Sequence, residues 1–275
     1  MAPQSSIPVR LPEHKSSRER SSRKSSSKGL KLRQLFSREG SHPFNEVIWG
    51  KRDIKIHFSA KHAFEEKGLE FPQFWSQNAA NIAASKYFRG RIGSDGKEHS
   101  AKQMVSRVAG TIRKWGEQLG YFAAKTDAET FEHELIHLLL FQKAAFNSPV
   151  WFNVGVSEKP QCSACFILSV EDNMDSILDW VKNEGMIFKG GSGSGINLST
   201  LRSSRETLAH GGYASGPVSF MRGADAVAGM IKSGGATRRA AKMVVLNADH
   251  PDIMEFIRCK AEEEKKVRAL MASGF

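Results

Sequence analysis

Three stretches between about residues 45 and 153 carry apolar residues at three- and four-residue spacing: FPQFWSQNAANIAASKYF, AKQMVSRVAGTIRKWGEQLGYF and DAETFEHELIHLLLFQKAAF. That spacing predicts helices. The third opens on Thr126-Asp127 with Glu129 behind, a favourable helix start, and Asn147-Ser148-Pro149 is expected to stop it, since a residue ahead of proline leaves the helical region. After Pro160 the texture changes. ACFILSV is an apolar run of strand length, MDSILDWVKNEGMIF is helical, and GSGSGINLS reads as a glycine-rich turn into a second strand. GPVSFMRGADAVAGMIK then predicts a helix, SGGATRRAAK a loop, MVVLNA a third strand, and HPDIMEFIRCKAEEEKKVRAL a helix opened by Asp249 with Pro251 in its first turn. Strand and helix alternating three times imply right-handed crossovers and a parallel sheet. The chain reads as a helical part over residues 41–155 and an α/β part over 156–275, with the sheet cut before any closing strand.

Charge changes the picture at one end. The formal net charge is +11, and residues 1–40 hold ten Lys or Arg against three Glu, so this segment supplies +7 and the other 235 residues only +4. The run KSSRERSSRKSSSKGLKLRQLFSR is Ser-rich and nearly free of large apolar side chains, so residues 1–40 are expected to form a disordered basic tail. The tail lacks the apolar core of a secretory signal, although its Arg- and Ser-rich make-up is also that of an organellar transit peptide. Nucleic-acid binding would call for aromatic stacking groups and basic residues spread over the folded part, and the sequence shows neither. No stretch approaches a membrane span. Three cysteines are too few for a disulfide scaffold, which makes a reducing, cytoplasmic setting the default.

Several constellations could carry chemistry. In PQCSACFILSVED, Cys162 and Cys165 stand at C-x-x-C spacing ahead of the first strand, with no second pair to complete a four-ligand zinc site. Five glycines lie among Gly185 to Gly195, four of them within FKGGSGSGINLS, which lacks the endings of a P-loop or a dinucleotide fingerprint, so the run implies tight turns or a close approach to the main chain. IKSGGATRRAAKM sets Lys232, Arg238, Arg239 and Lys242 around a Gly-Gly hinge, a loop suited to an anionic ligand. The two cationic glycine loops are expected to share one rim of the sheet. His133, Glu134 and His137 have the form H-E-x-x-H on a very apolar helix without a third ligand, where packed or capped histidines are the commoner outcome. Cys259 reads as a buried thiol.

Taken together, FNSPVWFN, SACFILSVEDNMDSILD, FKGGSGSGINLSTLRSS and the run from GGYASGPVSF to RCKAEEEKK resemble the catalytic subunit of the adenosylcobalamin-dependent, class II ribonucleotide reductases over about residues 41–275. The resemblance implies an N-terminal helical domain and the first half of a ten-stranded α/β barrel. It also implies reduction of a ribonucleotide to the 2′-deoxyribonucleotide for DNA synthesis, as in a ribonucleoside-diphosphate reductase, with diphosphate or triphosphate left open by the sequence, and with a thioredoxin-type reductant. Cys165 would be one of two thiols that donate electrons and end as a disulfide, with Ser148 and Ala164 beside it as substrate contacts. Asp172, Lys189, Arg202, Lys232 and Arg238 would bind a deoxynucleoside triphosphate effector, on loops matching 199–211 and 232–241, at a site that in this family often lies at a homodimer interface. The radical cysteine, the second redox cysteine and most cobalamin contacts of the family match nothing in this sequence, so the chain alone is not expected to reduce nucleotides. A stand-alone deoxynucleotide-binding module without catalysis is the alternative.

Overall fold

Among the described residues one hydrophobic core lies ahead of about residue 160, and a second, with a small satellite around Ile187, Phe188 and Ala228, lies after it. They are seen in a computed structural model that describes residues 29–59, 62–90, 96–231 and 240–275. The expected effector residues Lys232 and Arg238 lie outside the described residues, as do residues 1–28 of the basic tail.

The first core contains Ile54, Leu69, Phe71, Val105, Val108, Ile136, Leu139 and Trp151. A β-ribbon that the mostly helical pattern did not foretell opens this part. β1 (Trp49–Ser59) and β2 (His62–Pro72) form an antiparallel ribbon. Ile54 and Ile56 on one strand and Leu69 and Phe71 on the other alternate with polar residues, the period of a half-buried strand. A register shift between Arg52 and Ile54 leaves Asp53 free to accept a hydrogen bond from Gly68 N at 2.8 Å, and Gly68 sits at φ +67, where glycine is favoured.

α1 (Gln77–Ile82) is capped by Ser76, whose Oγ accepts from Ala79 N, and runs into a π-helical turn, Ala83–Tyr87. α2 (Ala101–Gln118) starts on a capping box of Ser100 and Gln103. α3 (Lys125–Leu140) begins next to the expected Thr126-Asp127 start, with no side-chain cap. It stops at Leu140, before Asn147-Ser148-Pro149, whose expected role is therefore corrected. Asn147 Oδ1 accepts from Val150 N and Pro149 occupies the first turn, so the triplet opens α4 (Ser148–Asn153).

Residues 29–40, expected to belong to the tail, are docked instead. Leu30 N donates to Tyr121 O at 2.8 Å, Ala123 N donates to Leu30 O at 3.0 Å, and Leu32 N donates to Asp127 Oδ1. Glu134 on α3 accepts from Phe36 N, Ser37 N and Ser37 Oγ at 3.0, 2.8 and 2.6 Å. Composition hid this, because the partners of the strap come from α3, about a hundred residues away.

The second core contains Val170, Ile177, Trp180, Ile196, Leu198, Leu201, Ala224 and Leu246. β3 (Cys165–Leu168), α5 (Met174–Lys189), β4 (Gly193–Asn197), α6 (Gly216–Met230), β5 (Lys242–Val245) and α7 (Ile253–Ala272) alternate as expected. The three strands form a parallel sheet in the order β3-β4-β5, with Cys165 opposite Gly193 and Ser194 opposite Lys242. Helices cover one face. On the other, Cys165, Ile167, Met243 and Val245 are exposed, so the sheet is open rather than closed into a barrel. α7 starts two residues beyond Pro251, because His250 and Asp252 are buried in hydrogen bonds that fix the turn ahead of it.

Candidate functional site

At the amino end of the sheet, Cys165 is the first residue of β3 and carries an exposed, free thiol. Its backbone is held by the neighbouring strand: Gly193 N donates to Ala164 O at 2.7 Å and Ser194 N to Ala241 O at 3.0 Å. Gly190 and Gly191 form the expected turn, with Gly191 at φ +82, and the run continues into the strand, where Gly193 and Gly195 belong to β4 itself. A Cβ on Gly193 would lie 3.0 Å from Ala241 O, and one on Gly195 would lie 3.0 Å from Ile167 Cδ1, so bare backbone lets the strands meet beneath the thiol.

Cys162 faces the other way. It is half-buried against the first core, and burial pushes its thiol up, so it stays protonated. The C-x-x-C spacing is therefore divided between one packed and one presented sulfur. Among the described residues no group of three His, Cys, Asp or Glu side chains is placed to hold a metal ion. The His133-Glu134-His137 triplet is spent on packing: Glu134 binds the strap, His133 meets His42 edge-on at 4.9 Å, and His137 stacks on Phe141 at 4.3 Å. Cys259 is buried in α7.

The segment leading into Cys165 is tied to α4. Asn153 Nδ2 donates to Gln161 O at 2.9 Å and Gly190 O at 3.2 Å, Gln161 Nε2 reaches Ser192 Oγ, and Ser192 Oγ donates to Ser163 O. α4 is fixed in turn by Arg107, which binds Glu98 at 2.7 Å and donates from Nη1 to Trp151 O and Val154 O. Ser148 at the start of α4 thus stands one short helix from the lead-in to Ala164 and Cys165. Its Oγ is 3.0 Å from Tyr87 Oη.

The carboxyl end of the sheet holds Asp172, after β3, and Arg202, after β4. Arg202 Nε is 2.6 Å from Asp172 Oδ2, and Arg202 N is 3.3 Å from Oδ1. Asn197 Oδ1 accepts from Ser199 N and Oγ, Asn197 Nδ2 donates to Asn247 Oδ1 at 3.1 Å, and Asn247 N donates to Ser199 Oγ at 2.7 Å. Carboxyl strand ends are where open α/β sheets bind ligands.

Two expected residues are placed elsewhere. Lys189 closes α5, about 24 Å of helix from its start, so it lies at the amino end of the sheet and not beside Asp172 and Arg202. Lys242, counted with the cationic loop, buries its ammonium 2.7 Å from Glu184 Oε2. The glycine-rich segment ahead of β4 and residues 240–241 ahead of β5 share the amino end of the sheet, opposite the Asp172 end.

The loop after β4 is anchored by Asp252. Burial pushes this carboxyl up, but hydrogen bonds from Ser203 Oγ at 2.7 Å, Ser204 N at 2.8 Å and Ser204 Oγ at 3.1 Å, with His250 nearby, outweigh it and hold the pKa below the ordinary Asp value. A group with a depressed folded pKa contributes stability above its unfolded pKa and loses it as pH falls through the folded one. Asp252→Asn is therefore expected to cost about 2 to 3 kcal/mol at neutral pH and less in acid, below the ordinary Asp pKa. Denaturant titrations of both proteins across that range check this.

The comparisons decide the family. A model described as the ribonucleotide reductase barrel domain matches residues 163–274, and one described as class II vitamin B12-dependent ribonucleotide reductase matches residues 54–93 and 91–142. The chain belongs to the class II vitamin B12-dependent ribonucleotide reductases. A vitamin B12-dependent ribonucleotide reductase of Streptomyces coelicolor is 60% identical over 250 residues, covering 90% of this chain and 26% of the relative. One of Rhodopirellula baltica is 45% identical over 90% of this chain and 27% of its own length. A vitamin B12-dependent ribonucleoside-diphosphate reductase of Thermoplasma acidophilum is 46% identical over 43% of the chain and 15% of its own length. The chain thus spans about a quarter of the first two relatives.

Within this family the sequence pointed to Cys165, Asp172 and Arg202 but not to the polar residues that organise them. Asn197 and Asn247 each follow an apolar strand run directly, and that placement is the signal that could have found them. Tyr87 carries no such mark, since it reads as one more apolar position of a helix.

Proposed function

We propose that this chain is the part of a class II ribonucleotide reductase that supplies one redox thiol, part of the substrate site and an effector site to the complete protein. The observation that supports this best is the division of the C-x-x-C pair, with Cys165 bare on the open sheet face while Cys162 is packed away. In the overall step a ribonucleotide loses its 2′-hydroxyl as water. Two thiols supply the electrons and protons and become a disulfide, which a thioredoxin-type dithiol then reduces. Cys165 is one of the two, and its partner comes from the remainder of the protein. Ser148 and the Ala164 backbone hold the substrate, for which the diphosphate form is supported by the similarity to the Thermoplasma ribonucleoside-diphosphate reductase. The product serves DNA synthesis, in the cytoplasm.

Adenosylcobalamin is the cofactor this assignment implies, but the described residues do not fit it. The larger described cavity, about 400 Å³ among Met221, Val244, Phe256 and Cys259, and a second of about 230 Å³ beside Trp75 and Trp151, are of a size for small ligands, well short of a corrinoid. Its contacts lie mostly outside this chain.

Asp172 and Arg202 form the effector site with the loop over 199–211, the carboxylate accepting from a deoxyribose hydroxyl and the guanidinium donating to phosphate. Lys189 is not part of that site in this chain; a homodimer partner completes it. The full-length gene product, given adenosylcobalamin, a ribonucleoside diphosphate and a dithiol, is expected to form the 2′-deoxyribonucleotide at a rate that responds to deoxynucleoside triphosphates. No product under those conditions overturns the assignment. Arg202→Gln is expected to weaken deoxynucleoside triphosphate binding at least about tenfold while leaving turnover without effector within about twofold, which equilibrium dialysis and a parallel activity assay measure.

A further inference from the structure

We infer that Tyr87 is a positioning residue that orients the Ser148 hydroxyl toward substrate, an inference that rests on Ser148 being a substrate contact. The hydroxyls of Tyr87 and Ser148 lie 3.0 Å apart. A serine hydroxyl has one hydrogen and two lone pairs, and the hydrogen rotates freely unless something fixes it. A phenol is the stronger donor of the two hydroxyl types. With Tyr87 donating to Ser148 Oγ, the serine proton is turned away from the phenol and is left to donate to an anionic or ribose oxygen.

The backbone is built to hold this arrangement. Tyr87 ends a π-helical turn in which Phe88 N donates to Ala83 O at 2.9 Å, one residue wider than an α-helical bond. Such turns are poorer than α-helix and are found mostly where a side chain must be re-aimed for function. One residue fewer would rotate Tyr87 by about 100° around the helix axis and carry its hydroxyl away from Ser148. The ring is braced: it stacks on Phe152 at 5.5 Å, and the Arg89 guanidinium sits 4.7 Å over that same phenylalanine. Tyr87, Ser148 and Phe152 thus form one unit at the start of α4, joined to the Cys165 lead-in through Asn153.

The test is a mutant cycle in the full-length protein, reading KM for a ribonucleoside diphosphate against kcat. Tyr87→Phe keeps the stacked ring and removes only the hydroxyl. It is expected to raise KM about five- to twentyfold with kcat within about twofold. Ser148→Ala raises KM by at least as much, Ser148→Thr restores most of the affinity, and the double variant is no worse than Ser148→Ala alone, because the phenol acts only through the serine. If Tyr87→Phe leaves KM unchanged, or if the two effects add, the inference is overturned while Ser148 keeps its role. A silent Ser148→Ala overturns both the inference and the Ser148 contact, and leaves the assignment of Cys165 standing.

Discussion

Replacing Cys165 by serine in the full-length protein lowers multiple-turnover deoxynucleotide formation by at least about a thousandfold, the scale on which removing a reacting group is felt. Serine copies the size of cysteine and its place at the head of β3, but it has no sulfur to form the disulfide that balances reduction of the ribose. The loss therefore falls on kcat, with substrate affinity little changed. The neighbouring cysteine makes the control. Cys162 packs against the first core with its thiol kept protonated by burial, so Cys162→Ser is expected to retain activity within about twofold and to lose about 1 kcal/mol of stability. Steady-state assays with a dithiol reductant, alongside thermal melting of both variants, separate the two roles. Equal loss of activity in both would mean that the packed sulfur also exchanges electrons, and would remove Cys165 from its special place.

That contrast also shows how far the sequence reaches. The α/β half was legible because β3 and β5 are short apolar runs, β4 follows a glycine turn, and amphipathic helices alternate with them, while Cys165, Asp172 and Arg202 stand at the strand ends. Spacing could not say which sulfur of C-x-x-C points outward. The lead-in is settled by Asn153 on α4 and Ser192 ahead of β4, which hold Gln161 and Ser163 within it. The β-ribbon over Trp49–Pro72 is not evident in the sequence although Ile54 and Ile56 alternate with polar residues, because the stretch is dense in charge and runs directly into the first helical pattern at Phe71. The strap over residues 29–40 was hidden more deeply. Its order comes from Glu134 and Asp127 on α3, and no local composition reports a contact so distant in sequence. Lys189 was misplaced for a related reason: proximity in sequence to the glycine run says nothing about which end of a 16-residue helix a charge occupies.

The largest stability effect is expected beneath the site. Glu184 is 2% exposed, and its carboxylate meets Lys242 Nζ at 2.7 Å, Ser194 Oγ at 2.7 Å and Trp180 Nε1 at 3.3 Å. Both Glu184 oxygens are engaged, and Lys242 Nζ, which makes no further hydrogen bond, relies on the Glu184 charge alone, so the pairing is what makes each buried charge tolerable. Glu184→Gln keeps the shape but leaves the Lys242 ammonium uncompensated, at a cost of about 3 to 5 kcal/mol. Replacing both charges with apolar groups, Glu184→Leu with Lys242→Met, is expected to recover most of that, because a buried pair against a hydrophobic pair is nearly even once desolvation is counted. Hydrogen exchange of the β4 and β5 amides in the full-length protein reads the difference as faster opening, on the order of a hundredfold or more in Glu184→Gln. If the single and double variants open at the same rate, the pair contributes no more than packing. The consequence reaches the thiol through the register of the sheet. Ser194 stands opposite Lys242 on β4 and is the residue after Gly193, which faces Cys165, so opening β4 from β5 loosens the strand that holds Cys165 in place.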